Sequence, residues 1–530
     1  MMDRAQLYQH FDALADTSEA VEKLRSLVLN LAVRGLLIPE AKKPDFSPEW
    51  RDFCALIDKK RETDNATPAP FEIPKRWRWT NLGQVAEPCG QKKPDVRFTY
   101  IDVGAINNVR GLIKSSLEVV APEDAPSRAR KLVRKQSIIY STVRPYLRNI
   151  AVVDRDFSPL PIVSTAFAVL HSKAFLNSRF LFHWLRSQPF QEEVSAKMKG
   201  VAYPAISDSE FWRCPIPVPP PAEQQRIVAK VDELLALCDE LEARQTTVRE
   251  RRTRLVHSAF DHLTAAPTRE DFRHHAAFVF REFPHLTATS DAIPTFRQAI
   301  LSLAIQGRLV PQDPNDEPAS EQLAKIFERN KSRYASGEIR LRKKTRTEPR
   351  NEAESSIPDG WLRVALGEIA DVNWGNTSLT KKSYSESGYT AYSATGPDGL
   401  IGHAEFSVPG IVLSAIGARS GKCFLAEGKW TAIKNTITII PFYPINNGWL
   451  FRAINLETAW KKRGGAQPFI ALKDAISLLI LLPPLAEQRR IVAKVEELMR
   501  WCDQLEAQLT AAQTAATHLL DATIRELLAM

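Results

Sequence analysis

The feature that most constrains this chain is that it repeats itself. Three blocks recur in the same order. Val21 to Glu40, VEKLRSLVLNLAVRGLLIPE, is matched by Ile293 to Gln312, IPTFRQAILSLAIQGRLVPQ, and Ile73 to Ala86, IPKRWRWTNLGQVA, by Ile357 to Ala370, IPDGWLRVALGEIA. Ala222 to Ala243, AEQQRIVAKVDELLALCDELEA, matches Ala486 to Ala507, AEQRRIVAKVEELMRWCDQLEA, at 16 of 22 positions without a gap. The offset between copies runs 272, 284 and 264, so the blocks hold fixed roles while the lengths between them vary. A chain of 530 residues is too long for one hydrophobic core. The frame implies two half-length units, each a compact domain followed by a long helix. Between the second and third blocks almost no residue-level similarity survives, as expected of a common scaffold carrying two different recognition surfaces.

The third block starts a helix. Pro219, Pro220 and Pro221, or Pro483 and Pro484, exclude a regular helix upstream and put Glu223 or Glu487 in the first turn, where a carboxylate favours the positive end of the dipole. Seven-residue spacing aligns Ile227, Leu234, Leu241, Val248 and Leu255 beside Val231, Cys238, Gln245, Arg252 and Ala259. In the second copy it aligns Ile491, Leu498, Leu505, Ala512 and Leu519 beside Val495, Cys502, Leu509, Ala516 and Thr523. About 40 residues of helix span roughly 60 Å, enough to hold two domains apart. Packing the two helices against each other, antiparallel, is the simplest cover for both seams and would give pseudo-two-fold symmetry; a separate partner protein on each seam is the alternative. On either reading Ile227, Val231, Leu234, Cys238, Leu241 and Ile491, Val495, Leu498, Cys502, Leu505 are interhelix or partner-docking positions. The first block reads as shorter arm helices over 21–38 and 293–310, stopped near Gly35 and Gly307. Residues 41–72 and 313–356 read as linkers with helical pieces such as Glu321 to Asn330, and His274-His275 sits in a linker.

The formal charge is +9. Residues 77–218 hold 20 basic and 12 acidic residues and 361–482 hold 12 and 8, so the basic excess is confined to two compact regions, as expected if those regions touch a polyanion. Strand-like runs there include 137–142, 150–153, 162–170, 411–416 and 436–440, broken by Gly, Pro and Asn, which indicates mixed α/β domains with exposed loops. No apolar run approaches the roughly 20 residues needed to span a bilayer, so a soluble, cytoplasmic protein is expected. Six cysteines without a CxxC pair read as reduced thiols.

Catalytic signatures are thin. Neither a GxGxxG turn nor an Asn- or Asp-Pro-Pro-aromatic tetrapeptide occurs, which argues against a base-modifying methyltransferase. Ile416 to Cys423, IGARSGKC, lacks the first glycine and the terminal hydroxyl of a phosphate loop and reads as a basic turn. Asp398, Glu427 and Lys429 imitate a metal-dependent nuclease centre, although Asp398-Gly399 is also a good turn dipeptide. His257 and His262, at i,i+5, point apart on a helix. No catalytic, cofactor-binding or metal-binding residue is assigned.

The residues that carry the duplication also carry a family resemblance. They are PxAEQxRIVAKVxEL at 220–234 and 484–498, SLAIQGRLVPQDPNDEPA from Ser302, YIDVGAIN at 100–107, STVRPYLRNIAVV at 141–153, GIVLSAIGARSGK from Gly410 and GAQPFI from Gly465. Over essentially its whole length the chain resembles the DNA-specificity subunit of type I restriction-modification systems. The resemblance implies two mixed α/β target-recognition domains, at 77–218 and 361–482, each reading half of a bipartite double-stranded DNA sequence. They would be separated by two long antiparallel coiled-coil-like helices at 219–265 and 483–530, with helical arms and linkers at 1–76 and 266–360. It implies a non-catalytic subunit that docks two methyltransferase subunits, with motor-nuclease subunits in the full complex. S-adenosylmethionine, ATP and Mg²⁺ then belong to those partners. The candidates for DNA contact are Asn107, Asn108, Arg110, Arg144, Tyr146 and Arg148 in the first domain, and Asn376, Ser393, Arg419, Lys422 and Lys434 in the second. A nuclease using Asp398, Glu427 and Lys429, and a coiled-coil adaptor without sequence specificity, are the competing readings.

Overall fold

The computed structural model describes residues 19–39, 47–61, 69–336, 357–456, 459–465 and 467–529; the start of the expected arm, up to residue 18, lies outside them. The chain forms two compact units, Met1–Arg249 with Gln513–Met530, and Glu250–Ala512. Two 45-residue helices, Pro221–Ala265 and Leu485–Ala529, are each divided between the units.

Inside each unit the three recurring blocks meet at one joint. The arm helix Ala20–Val33 ends at Gly35, whose φ of +75° lets Leu36 N–H bond back to Leu31 O. A Cβ on Gly35 would lie 2.5 Å from Pro74 Cγ and 3.2 Å from the Trp77 ring. Trp77 Nε1 donates to the buried Glu223 carboxylate at 3.1 Å. The next residue, Gln224, accepts from Asn177 N at 2.6 Å and donates to Pro219 O at 2.8 Å, so one side chain pins the domain's helix Ser178–Arg186 to the start of the long helix. The second unit repeats every contact. Gly307 (φ +69°) packs on Pro358 and Trp361, Trp361 Nε1 donates to Glu487 at 2.9 Å, and Gln488 accepts from Asn446 N at 3.0 Å and donates to Pro483 O at 2.9 Å. The arginine shared by the arms has a role of the same kind: Arg25 pairs with Asp239 and Glu242, at 2.5 and 2.9 Å, and Arg297 with Asp503 and Glu506, at 2.7 and 2.9 Å. These blocks recur because each contributes one part of the joint.

The joint also gathers the ends of each compact domain. Arg78–Asn81 pairs antiparallel with Pro215–Val218, and Leu362–Ala365 with Leu479–Leu482, so chain entry and exit lie side by side. Beyond this pair the first domain carries a sheet ordered Ala86–Glu87, Phe167–Ser172, Ile138–Ser141, Ile150–Val152. The second carries Ala370–Trp374, Thr436–Pro441, Gly410–Ser414, Cys423–Ala426 in the same order. Fold topology has thus outlasted residue identity. Alternation puts Ile138, Tyr140, Ala168 and Leu170, or Ile411, Leu413, Ile437 and Ile439, into the main core of their own unit. A further sheet covers each: four strands ordered Glu118–Val120, Phe98–Ile101, Pro161–Ser164, Ala129–Leu132 in the first, and three ordered Gly396–Ile401, Tyr389–Ser393, Trp430–Ala432 in the second.

Several sequence expectations are corrected here. The run 162–170 is two strands in different sheets, because the Ser164 hydroxyl accepts Ala166 N–H at 3.3 Å and turns the chain. The segments taken as linkers contain packed helices: Pro48–Arg61 buries Trp50, Phe53 and Ile57 in the first core, and Arg269–Leu286 places His274 and His275 on a helix rather than in a linker. The arm helices stop at Val33 and Ile305, within two residues of the left-handed Gly35 and Gly307 near which the sequence places their ends, and do not run on to 38 and 310.

The heptad seam also has a different cover from the one expected. Ile227 and Val231 lie in the first unit's main core, and Ile491, Val495 and Cys502 in the second's, with Leu498 and Leu505 packed against it. Cys238 is buried as well, while Leu234 and Leu241 are half-buried. The core members of the set are therefore covered by their own unit and are not available for partner docking. Farther along, Val248 and Leu255 are exposed. The helix ends are packed in turn. Leu520 buries against Ala20 and Asp521 pairs with Lys23 at 2.6 Å in the first unit, and Val256, Ala259, Phe260 and Leu263 join Ala292 and Ala299 in the second.

Candidate nucleic-acid interface

In the first unit, three loops converge at the end of the strand Ile138–Ser141. One is the tip of the hairpin Ile106–Asn107/Leu112–Ile113, where Asn107 Oδ1 accepts from Arg110 N at 3.1 Å and Gly111 adopts a φ of +67° beneath Phe182 and Arg186. The second is the turn at 144–148. The third spans 199–205, closed by reciprocal backbone bonds of 2.9 Å between Lys199 and Ala205. Asn108 Nδ2 donates to Leu147 O at 2.8 Å, Arg144 N donates to Pro204 O at 2.8 Å, and Arg186 ties Asn108 O and Val109 O at 3.1 and 2.6 Å. All six sequence candidates of this domain therefore fall in one cluster. Asn107 and Asn108 spend part of their amide capacity on holding its shape, and Tyr146 is 51% exposed.

The electrostatics of the cluster favour an anion. Arg110, Arg144, Arg148, Arg186 and Lys199 have no ion-pair partner among the described residues, whereas Arg25, Arg78, Lys131 and Arg179 each have one. Burial, and then repulsion from Arg148 and Arg25, pushes the Arg186 guanidinium down to about 10. It stays charged at neutral pH, and a nearby anion would relieve it.

The second unit builds the same frame from different residues. Its turn 417–422 corresponds to 144–149: Ser414 N bonds Lys422 O as Ser141 N bonds Asn149 O, and Gly417 N bonds Pro468 O as Arg144 N bonds Pro204 O. The sequence resembling a phosphate loop is this turn. Arg419 and Lys422 are exposed on it, Lys434 is exposed nearby, and none of the three has an ion-pair partner among the described residues. Two candidates are not brought to the surface in usable form. Ser393 is buried, with its hydroxyl bonded to Asp398 and Thr395. Asn376 is half-buried and committed at both ends of its amide, to Glu405 and to Ser378.

Asp398, the centrepiece of the nuclease reading, accepts hydrogen bonds from Lys381, Tyr384, Ser393 and Thr395. Burial alone would raise its pKa, but the donors Lys381, Thr395, Tyr384 and Ser393 together hold the carboxyl well below the usual carboxylate range. Its oxygens are filled by the turn, and Lys429 lies over the Tyr389 ring, 5.5 Å from its centroid. Among the described residues no group of three or more His, Cys, Asp or Glu side chains is arranged to hold a metal ion.

Sequence reasoning missed the third loop with Lys199 and Tyr203, and Arg186 beneath the hairpin tip. A signal was present. Gly200 to Ile206, GVAYPAI, aligns with Gly464 to Ile470, GGAQPFI, at the offset of 264 that the third block has. The structure gives the pair the same bridges, Val143 with Ala205 and Ile416 with Phe469.

A family model described as the type I restriction modification DNA specificity domain matches residues 74–249 and 358–512, taking in both compact domains with their loop clusters. The chain belongs to this DNA specificity family. Among curated relatives of this specificity chain, the type I restriction enzyme EcoAI specificity subunit of Escherichia coli is 27% identical, covering 95% of this chain and 93% of the relative. The EcoEI specificity subunit, also of Escherichia coli, is 25% identical over the same shares. A solved structure described as "Structural basis underlying complex assembly and conformational transition of the type I R-M system" is 26% identical with a TM-score of 0.51, covering 87% of this chain and 99% of that one. Two target-recognition domains, each followed along the chain by a long helix, with an internal duplication, are the architecture of this chain. No described helix is long and apolar enough to cross a membrane.

Proposed function

We propose that this chain is the non-catalytic DNA-specificity subunit of a cytoplasmic type I restriction-modification complex, with each loop cluster reading one half of a bipartite double-stranded DNA site. The observation that carries this is the pair of clusters: two loop sets on one topology, each presenting cations without ion-pair partners among the described residues, with different side chains at equivalent positions. Phosphates would be held by the exposed Lys and Arg, while sequence would be read by oriented donors on the turns. S-adenosylmethionine, ATP and Mg²⁺ act in the partner subunits on this reading. Methylation mapping across a genome expressing the chain with its modification partner tests it. The expected result is one motif made of two specified halves and an unspecified gap of fixed length; methylation without such a motif would reject the reading.

Docking of two methyltransferase subunits is assigned to the long helices. With the core members of the seam committed to their own units, the exposed apolar residues gain importance. Leu237 (53% exposed) and Trp501 (57%) occupy equivalent positions of the repeat. Exposure of a large apolar side chain at the same place in both copies of the repeat is what makes these two residues the proposed anchors. Leu237→Asp and Trp501→Asp should each weaken binding of the modification subunit by about tenfold or more while leaving the melting temperature unchanged, as read by calorimetric titration beside thermal unfolding.

A further inference from the structure

Two arginines in the first unit hold positive φ angles at places where their counterparts are glycine. Arg144 has φ +49° and Arg148 φ +54°; at the same two places in the second unit stand Gly417 (φ +108°) and Gly421 (φ +98°). A left-handed backbone disfavours any side chain with a Cβ. Arg144 carries a further cost, since its Nε is buried without a hydrogen-bond partner. The second unit closes the corresponding turn by the same backbone bonds with glycine at both places and carries neither cost, so those bonds do not require arginine here. Strain and an orphaned donor at one residue, in a turn that would form without them, mark a side chain retained for contact with something outside the chain.

The rest of the geometry indicates what that contact is. The Arg144 guanidinium carbon lies over the Tyr203 ring, 4.6 Å from its centroid, and Nη2 donates to Ala202 O at 3.3 Å. Tyr203 is 69% exposed and Val201 fully exposed, so the bracing loop stands at the surface, with Arg144 half-buried beside it. No carboxylate among the described residues pairs with Arg144. A phosphate contact would need only a mobile positive charge. A planar fork fixed against an aromatic face is what discrimination between base edges requires.

We propose that Arg144, braced by Tyr203, is a base-reading group for the first half-site, and that it reads a base with two adjacent acceptors, as guanine presents in the major groove. The inference rests on the bipartite recognition proposed above. Tyr203 acts as a positioning residue.

The experiment compares wild type, Arg144→Gly, Arg144→Lys, Tyr203→Phe and Tyr203→Ala, each assembled with the modification subunit. Methylation rates are measured on duplexes carrying the mapped site and every single-base change in both halves. Wild type should discriminate about tenfold or more at one guanine of the first half-site. Arg144→Gly, Arg144→Lys and Tyr203→Ala should reduce that one preference to about twofold or less, keep every preference in the second half-site, and melt no lower than wild type; Tyr203→Phe should retain it. Three results overturn the assignment: full discrimination retained by Arg144→Gly, a uniform rate loss across all sequences with a shallower salt dependence, or a lowered melting temperature with losses in both half-sites. A wild-type complex without a bipartite motif would instead reject the function itself, and no variant is needed to see that.

Discussion

Gly307→Ala should lower the stability of the second unit by about 2–4 kcal/mol, and Gly35→Ala that of the first by a similar amount. Two penalties combine. The left-handed backbone at +69° or +75° disfavours alanine by about 1 kcal/mol. The added methyl would also sit 2.7 Å from Pro358 Cγ and 3.0 Å from the Trp361 ring, or 2.5 Å from Pro74 Cγ. Neither ring can yield freely, because Trp361 is anchored to the buried Glu487 and Trp77 to Glu223. Overpacking of this kind costs about 1–3 kcal/mol more. Gly428→Ala is the control: its φ is +67°, but nothing lies within 4 Å of the added carbon, so only the backbone cost of about 1 kcal/mol remains. Denaturant unfolding followed by tryptophan fluorescence measures all three. Equal losses at Gly307 and Gly428 would show that the joint is not tightly packed.

Exchange of residues 78–218 for the corresponding segment of a related chain should replace one half of the methylated sequence entirely and leave the other half and the gap unchanged. The prediction follows from the joint. Arg78 and Val218 are directly paired, so the segment enters and leaves at one place, and a foreign domain with the same pair of end strands can be inserted without moving the long helix. Trp77, Glu223 and Gln224 lie outside the exchanged segment, although Gln224 must find the backbone N–H that Asn177 supplies. Methylation mapping reads the outcome. A hybrid that alters both halves would show that the two domains do not read independently, and one that alters neither would defeat the domain assignment.

Much of the architecture was legible because it rests on local signals. The proline runs before Glu223 and Glu487 stop one element and start another, and the recurring Gly35 and Gly307 end helices by a backbone conformation that glycine adopts without strain. The DNA-contact candidates were less legible. Asn376, Ser393 and Arg419 are all polar residues near turns in a basic domain, but only the fold commits Ser393 to Asp398 and Asn376 to Glu405 and Ser378 while leaving Arg419 exposed. Asp398 shows the same limit from the other side, since an acidic residue near a lysine looks like a metal site until its four donors are known.

By itself the sequence determined the duplication, the two basic domains and the long helices, because repeats, charge blocks and helix starts are properties of residues close together along the chain. Only the tertiary structure decided why those three blocks recur, which neighbour covers the heptad seam and which loops form a surface. A periodic apolar face states that something must cover it without saying what, and the glycine, tryptophan and glutamate of the joint stand up to about 190 residues apart. Their common purpose becomes visible only when a methyl group has no room at Gly35 and the Trp77 N–H has one buried carboxylate to meet.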